Sequence, residues 1–220
     1  MKICVIIPAH NESREISRLV KEVKELTPDI LVVDDGSTDN TAGIASAAGA
    51  EVLKNQINTG KGSCLRKGFY HAIVNNFEAV VTMDGDGQHL PQDLKSFLSL
   101  AEASKGDILI GNRMQHTENM PLIRILTNKF MSWLISRLCQ QDIPDTQCGF
   151  RLIKRPVLEK IELETSKYEI ETEILIKAAQ AGFKIESVPI STVYRGEKSQ
   201  INPLTDTLRF FKFLIRIGKK

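Results

Sequence analysis

The sequence predicts an α/β fold, a mostly parallel central sheet with helices on both faces. Three observations predict it. Short β-branched apolar runs alternate with stretches whose apolar residues recur at helical spacing through the first 113 residues. The short runs are apolar throughout, as in parallel strands covered on both sides. Successive runs give way to polar turns reading PAHNE, DDGSTD and DGDGQH, all acidic.

The elements follow in order. KICVIIP (2–8) is a strand closed by Pro8, and ESREISRLVKEVKEL (12–26) is a helix with Ile16, Leu19, Val20, Val23 and Leu26 on one face. DILVVDDGS (29–37) is a strand ending in a turn. STDNTAGIASAAGA (37–50) is a helix capped by Ser37, Thr38 or Asp39 and stopping near Gly49. EVLKN (51–55) is a short strand, GKGSCLRKGFYHAI (60–73) a helix opened by glycines, and AVVTMD (79–84) a strand. PQDLKSFLSLAEAS (91–104) is a helix with Pro91 in its first turn, and DILIGNR (107–113) a strand. Beyond them lie a long amphipathic helix over 121–138, a polar loop DTQCGFR (145–151) and a helix over 168–182 with Gly182 at its C-cap. KIESVPI (184–190) reads as a strand and YRGEKSQIN (194–202) as a charged loop. A last helix starts at Asn202 and Pro203. We read one domain over 1–200 and an amphipathic helix over 201–220.

Composition narrows the function. The chain has 220 residues with 42% hydrophobic and 25% charged side chains, ordinary for a globular domain. A net charge of +2 gives no footprint for nucleic acid. Cys4, Cys64, Cys139 and Cys148 form no CxxC pair and read as reduced thiols of a cytosolic protein. No apolar stretch is long enough to span a bilayer. The last helix carries a basic stripe of Arg209, Lys212, Arg216, Lys219 and Lys220 beside a broad apolar face. That pattern fits a membrane surface, its own domain or a second subunit; the 121–138 helix, with Trp133, presents the same choice.

Ligands of such sheets bind at the carboxyl ends of the strands. There Asp84 and Asp86 stand one residue apart, and like charges so close repel. A hard dication, Mg²⁺ or Mn²⁺, relieves that repulsion and takes oxygen ligands, with Gln88 adding a neutral one; the alternative is an ordinary polar turn. Gly85 and Gly87 leave room for phosphate oxygens. Asp34 and Asp35 precede the capping positions and suit a ribose hydroxyl or a base N–H. Lys61 opens a helix, where anions are favoured. His89 follows the acidic loop as a metal contact or, more simply, as a neighbour of it. Glu169, Glu171 and Glu173 read mostly as a solvated helix face, one of them reaching a ligand groove.

VIIPAHNE, VVDDGSTDNT, NTGKG, TMDGDGQH, GNR and DTQCGFR stand in the order and spacing of the family 2 inverting glycosyltransferases of the GT-A fold, and the chain most resembles the dolichyl- or polyprenyl-phosphate sugar synthases. The resemblance implies a nucleotide-diphosphate sugar donor and an acceptor that is a polyprenyl phosphate or a saccharide hydroxyl. It implies that Pro8, Ala9, His10, Asn11, Glu12 and Asp35 hold the nucleoside, with Lys61 nearby. It gives Asp84, Asp86 and Gln88 to the metal, Arg113 and Arg124 to the acceptor phosphate, and Asp145 the role of base toward a hydroxyl. Arg195 and Lys198 correspond to a late basic loop over the phosphates, although this chain reads GEKS where the family often has GESK. Gly85 replaces the family's commoner Ala, a change expected to matter little. A receiver domain has half this length, and a nucleotidyltransferase wants a glycine-rich basic loop where this chain has PAHNE.

Overall fold

The computed structural model describes residues 1–118, 120–191, 209, 210, 212–214 and 216. Seven strands form one sheet: β1 (Ile3–Ala9), β2 (Ile30–Asp34), β3 (Glu51–Lys54), β4 (Ala79–Thr82), β5 (Ile108–Asn112), β6 (Arg151–Lys154) and β7 (Ile185–Pro189), in the order β3–β2–β1–β4–β6–β5–β7. The helices bounded within the described residues are α1 (Ile16–Lys24), α2 (Thr41–Ala48), α3 (Lys61–Val74), α4 (Leu94–Ala103), α5 (Leu122–Cys139), α6 (Arg155–Lys160) and α7 (Glu169–Gln180). The sheet is mostly parallel with helices on both sides, as the apolar runs require. β1 shows the cause. Val5, Ile6 and Ile7 are wholly buried, and each such side chain removed from water contributes about 1.5–3 kcal/mol before entropy is counted.

Two elements are absent from the sequence reading. β6 follows directly on the loop at 145–151 and runs antiparallel to both β4 and β5. α6 starts at the next residue, with Pro156 in its first turn. A four-residue strand joined to a six-residue helix is too short to show either periodicity. The helix ends fall close to expectation. Asp39 accepts from the Thr41 amide at 3.0 Å at the start of α2, and Gly182, at φ +87°, follows the end of α7.

α5 buries two polar residues beside Ile135 and Cys139 and leaves many of its apolar ones outside. Its polar Asn128 and Ser132 are buried, while Leu122, Ile123, Leu126, Phe130, Trp133 and Leu138 are exposed, Trp133 by 57%. The buried side is fastened by polar bonds: the Thr146 amide donates to Ser132 Oγ at 2.9 Å, and the Ile143 amide donates to Ser136 Oγ at 3.0 Å. Trp133 is therefore not a core residue. Of the final helix, the described residues are helical. Phe213 is buried, and Arg209 and Arg216 pair with Glu169 and Glu164 at 3.4 and 3.2 Å. All four cysteines are free and buried.

Candidate active site

Register brings the polar turns level. Ala9 lies beside Asp34, Ile6 beside Thr82, and Thr82 beside Arg151. Because β6 is reversed, the segment that precedes it arrives at the same edge that the parallel strands leave. The Thr82 hydroxyl donates to the Gly149 carbonyl at 2.7 Å and fastens that segment to β4.

At the end of β2 the two aspartates brace the turns that follow. Asp34 is fully buried and caps the turn through the Ser37 amide at 3.2 Å and the Ser37 hydroxyl. Asp35 is 4% exposed. Its carboxylate accepts from Asn55 Nδ2 (3.0 Å), the Thr59 amide (2.8 Å), the Thr59 hydroxyl (2.9 Å) and the Gly60 amide (2.7 Å). Burial works against its charge, but these donors outweigh it and hold its pKa below the usual carboxylate range. Asp35 is thus the clamp that fixes the loop leading into α3. The preceding loop is built around Asn11 in the left-handed region (φ +58°), whose side-chain oxygen accepts from the Thr38 amide at 2.9 Å. His10 Nδ1 lies 3.0 Å from the Asp35 carbonyl. His10, Asn11 and Glu12 keep accessible surface, whereas Ala9 is buried.

The acidic loop behaves differently. Asp84, Asp86 and Gln88 all keep accessible surface. The Gln88 amide donates to Asp86 Oδ1 at 3.0 Å. Gly85 fits closely: a Cβ there would stand 3.1 Å from the Pro8 carbonyl oxygen, so the family's Ala would press this loop on the end of β1. His89 is buried behind the loop, its ring 5.2 Å from that of Phe150, and its Nδ1 accepts from the Asp84 amide at 3.3 Å. Burial lowers its pKa to about 4, so the imidazole is neutral at pH 7 and supports the loop from within.

Lys61, the first residue of α3, puts its ammonium on Asp84 Oδ1 and 2.6 Å from Glu171 Oε1. Burial opposes the lysine's charge, yet the two carboxylates outweigh it and raise its pKa above the ordinary value. Burial likewise opposes the charge of Asp84, which the ammonium nevertheless draws down to about 2. The three glutamates of α7 are not a solvated face. Glu173 is fully buried and holds the Thr165 amide (2.9 Å) and Lys177 (2.8 Å), Glu169 is buried beside Arg209, and Glu171 reaches the site. The cause is the apolar set of α7, with Ile170, Ile174, Leu175, Ile176 and Ala178 all buried. That set is too wide for one face, so the helix is packed on several sides.

Arg113 and Asp145 are brought together. Arg113 donates from Nε at 2.7 Å and from a terminal nitrogen at 2.8 Å, and its amide donates at 3.1 Å, all to a carboxylate with 0% exposure. The Gln147 amide adds a bond at 3.3 Å. Arg151, also buried, ties the segment to α7 through the Cys148 (2.8 Å), Thr146 (2.9 Å) and Glu171 carbonyls. The Asp145 carboxylate is therefore enclosed and ion-paired, which does not suit a base. Arg124 lies exposed in the first turn of α5. Arg195 and Lys198 lie outside the described residues.

Among the described residues, no group of three or more His, Cys, Asp or Glu is placed to hold a metal. Two accessible carboxylates with a neutral amide nonetheless fit a hard dication of the kind completed by water and substrate phosphates.

Comparisons with known proteins bear on the family and the fold. The profile of Glycosyl transferase family 2 matches residues 4–162. An uncharacterised protein of Methanocaldococcus jannaschii is 32% identical over 98% of this chain and 90% of its own. The polyprenol monophosphomannose synthase of Mycolicibacterium smegmatis is 31% identical over 87% of this chain and 77% of its own. The crystal structure of glucosyl-3-phosphoglycerate synthase from Mycobacterium tuberculosis with Mn²⁺, UDP and phosphoglyceric acid superposes with a TM-score of 0.74. It is 19% identical and covers 97% of this chain and 76% of that one.

Proposed function

Since this chain belongs to glycosyl transferase family 2, we propose that it transfers a sugar, with inversion, from a nucleotide-diphosphate donor to a polyprenyl phosphate. The enclosed Arg113–Asp145 pair carries this choice of acceptor. A hydroxyl must lose a proton as it attacks, and an ion-paired carboxylate with 0% exposure is poorly placed to take it. A lipid phosphate is already ionised at pH 7. Its oxygen bonds to the anomeric carbon while the bond to the donor's β-phosphate oxygen breaks. The electron pair departs on the nucleoside diphosphate, and no base is needed.

The chain's own groups then divide the work. The loop at 8–12 receives the nucleoside, and Asp35 acts at one remove by fixing the turn from which Lys61 projects. Asp84, Asp86 and Gln88 would hold Mg²⁺ or Mn²⁺, which would supply Lewis-acid stabilisation of the leaving diphosphate. Lys61 adds a fixed positive charge beside it. Arg124 meets the acceptor phosphate at the rim, with Arg113 behind it. Holding the two reactants in line is worth up to about 7–11 kcal/mol. The test is a panel of UDP- and GDP-sugars with Mn²⁺, offered a short polyprenyl phosphate or an oligosaccharide. We expect sugar on the lipid phosphate alone; transfer only to the oligosaccharide would overturn the reading.

The acceptor places the enzyme at a bilayer, and α5 is the surface that meets it. No described helix is long and apolar enough to cross a membrane. Residues 121–141 contain no Asp or Glu, only Arg124, Lys129 and Arg137 among charged side chains. An exposed apolar stripe with basic flanks matches an anionic lipid surface, where each cation contributes roughly 1 kcal/mol. Phe130 and Trp133 are paired on that stripe, with ring centroids 6.1 Å apart. The chain has one tryptophan, so its fluorescence reports this face alone. We expect a blue shift of Trp133 emission with phosphatidylglycerol vesicles, little with phosphatidylcholine, and loss of vesicle flotation in Leu126→Asn/Phe130→Ser with donor binding retained. A shift that follows protein concentration without vesicles would instead mark self-association.

A further inference from the structure

Lys61, Asp84 and Glu171 come from α3, the loop after β4 and α7, and their charged ends meet at one point. The lysine and Glu171 side chains are 16% and 15% exposed. Gly149 makes the meeting possible. A Cβ there would stand 2.8 Å from Asp84 Oδ2, 2.8 Å from Glu171 Oε1 and 3.0 Å from Lys61 Nζ. Two carboxylates held so near each other repel unless a cation lies between them, and the cation present is the chain's own ammonium.

We infer that Lys61 is an internal stand-in for the dication, and that Glu171 is the positioning residue which makes it so. In the donor-free protein the ammonium neutralises Asp84 and so competes with metal. On loading, Asp84 would exchange the ammonium for the dication, and the diphosphate would help to hold that ion. Glu171 retains the ammonium beside the leaving group. Metal and nucleotide therefore bind cooperatively, because a metal arriving alone must displace Lys61 without gaining phosphate ligands. The inference rests on Asp84 being a metal ligand. It adds that the site defends itself against metal that arrives without donor.

Mn²⁺ titration of the donor-free protein, followed by electron paramagnetic resonance, tests it. Lys61→Met is expected to bind Mn²⁺ about 5–150-fold more tightly than wild type, the usual span of such couplings. That variant raises local negative charge, so the deciding protein is Lys61→Met/Glu171→Gln, which keeps the wild-type charge but has no competing ammonium. It too should bind Mn²⁺ more tightly than wild type, and its balanced charge keeps the test available if the single variant fails to fold. A double variant that matches wild type would reduce the effect to net charge and overturn the inference. If wild type binds Mn²⁺ only with UDP or GDP and neither variant differs from it, the inference fails while the metal site stands. If Mn²⁺ binds none of the proteins even with both nucleotides present, both fail.

Discussion

Asp86→Ala is expected to lower sugar transfer by about 10²–10³-fold while the protein still folds, the loss typical of removing one group that stabilises charge in a transition state. The fold should tolerate it for a local reason. Asp86 keeps accessible surface, and its hydrogen bond to the Gln88 amide, two residues on, is worth only about 0.5–1.5 kcal/mol. The chemistry should not tolerate it. In the proposed site Asp86 is one of the two carboxylates that would hold the dication. Wild-type protein in excess chelator should lose activity to a similar degree and regain it with added Mn²⁺. Single-turnover transfer and thermal unfolding together decide the matter. Full transfer in chelator would remove the metal from the mechanism, and an unfolded Asp86→Ala would show that the residue serves the fold instead.

Arg113→Met should destabilise the protein by about 3–5 kcal/mol, because it strands the Asp145 carboxylate in a site with 0% exposure. Removing both partners, as in Arg113→Met/Asp145→Leu, should cost far less, since no buried charge is left without a partner. Urea unfolding of the four proteins of that cycle measures the coupling. A loss below about 1 kcal/mol for the single variant, in the range of exposed pairs, would show that the pair is not the enclosed lock described above. The same result governs how activity data are read. Loss of transfer in Arg113→Met mixes acceptor binding with folding, whereas Arg124→Met, at an exposed position, should weaken use of the lipid phosphate with little change in stability.

Much of this architecture was legible in the amino-acid order, and the rest was hidden for identifiable reasons. β1, β2, β4 and β5 announce themselves because strands covered on both sides must be apolar at every position. β6 does not, since Arg151–Lys154 is short and its first residue is a buried arginine whose partners are carbonyls of 146, 148 and 171. Composition finds acidic residues at strand ends but not what they hold. Asp35 meets a loop 24–25 residues away, and Asp145 meets an arginine 32 residues away. The Glu171–Lys61 contact spans helices far apart in the chain. One signal did exist in α7, where buried apolar residues encircle too much of the helix for its glutamates to lie in water.

The reversed β6 strand has a consequence for how such an enzyme can change. Its junction with β4 splits the rim into two districts. Loops following β1, β2 and β4 lie toward one side, while the turn after β5 and the stretch arriving before β6 lie toward the other. Substitutions on the exposed face of α5 can therefore accumulate without touching the strands, whereas the stretch at 145–149 is bound to both districts, because Gly149 abuts Asp84 and Glu171 and Asp145 holds Arg113.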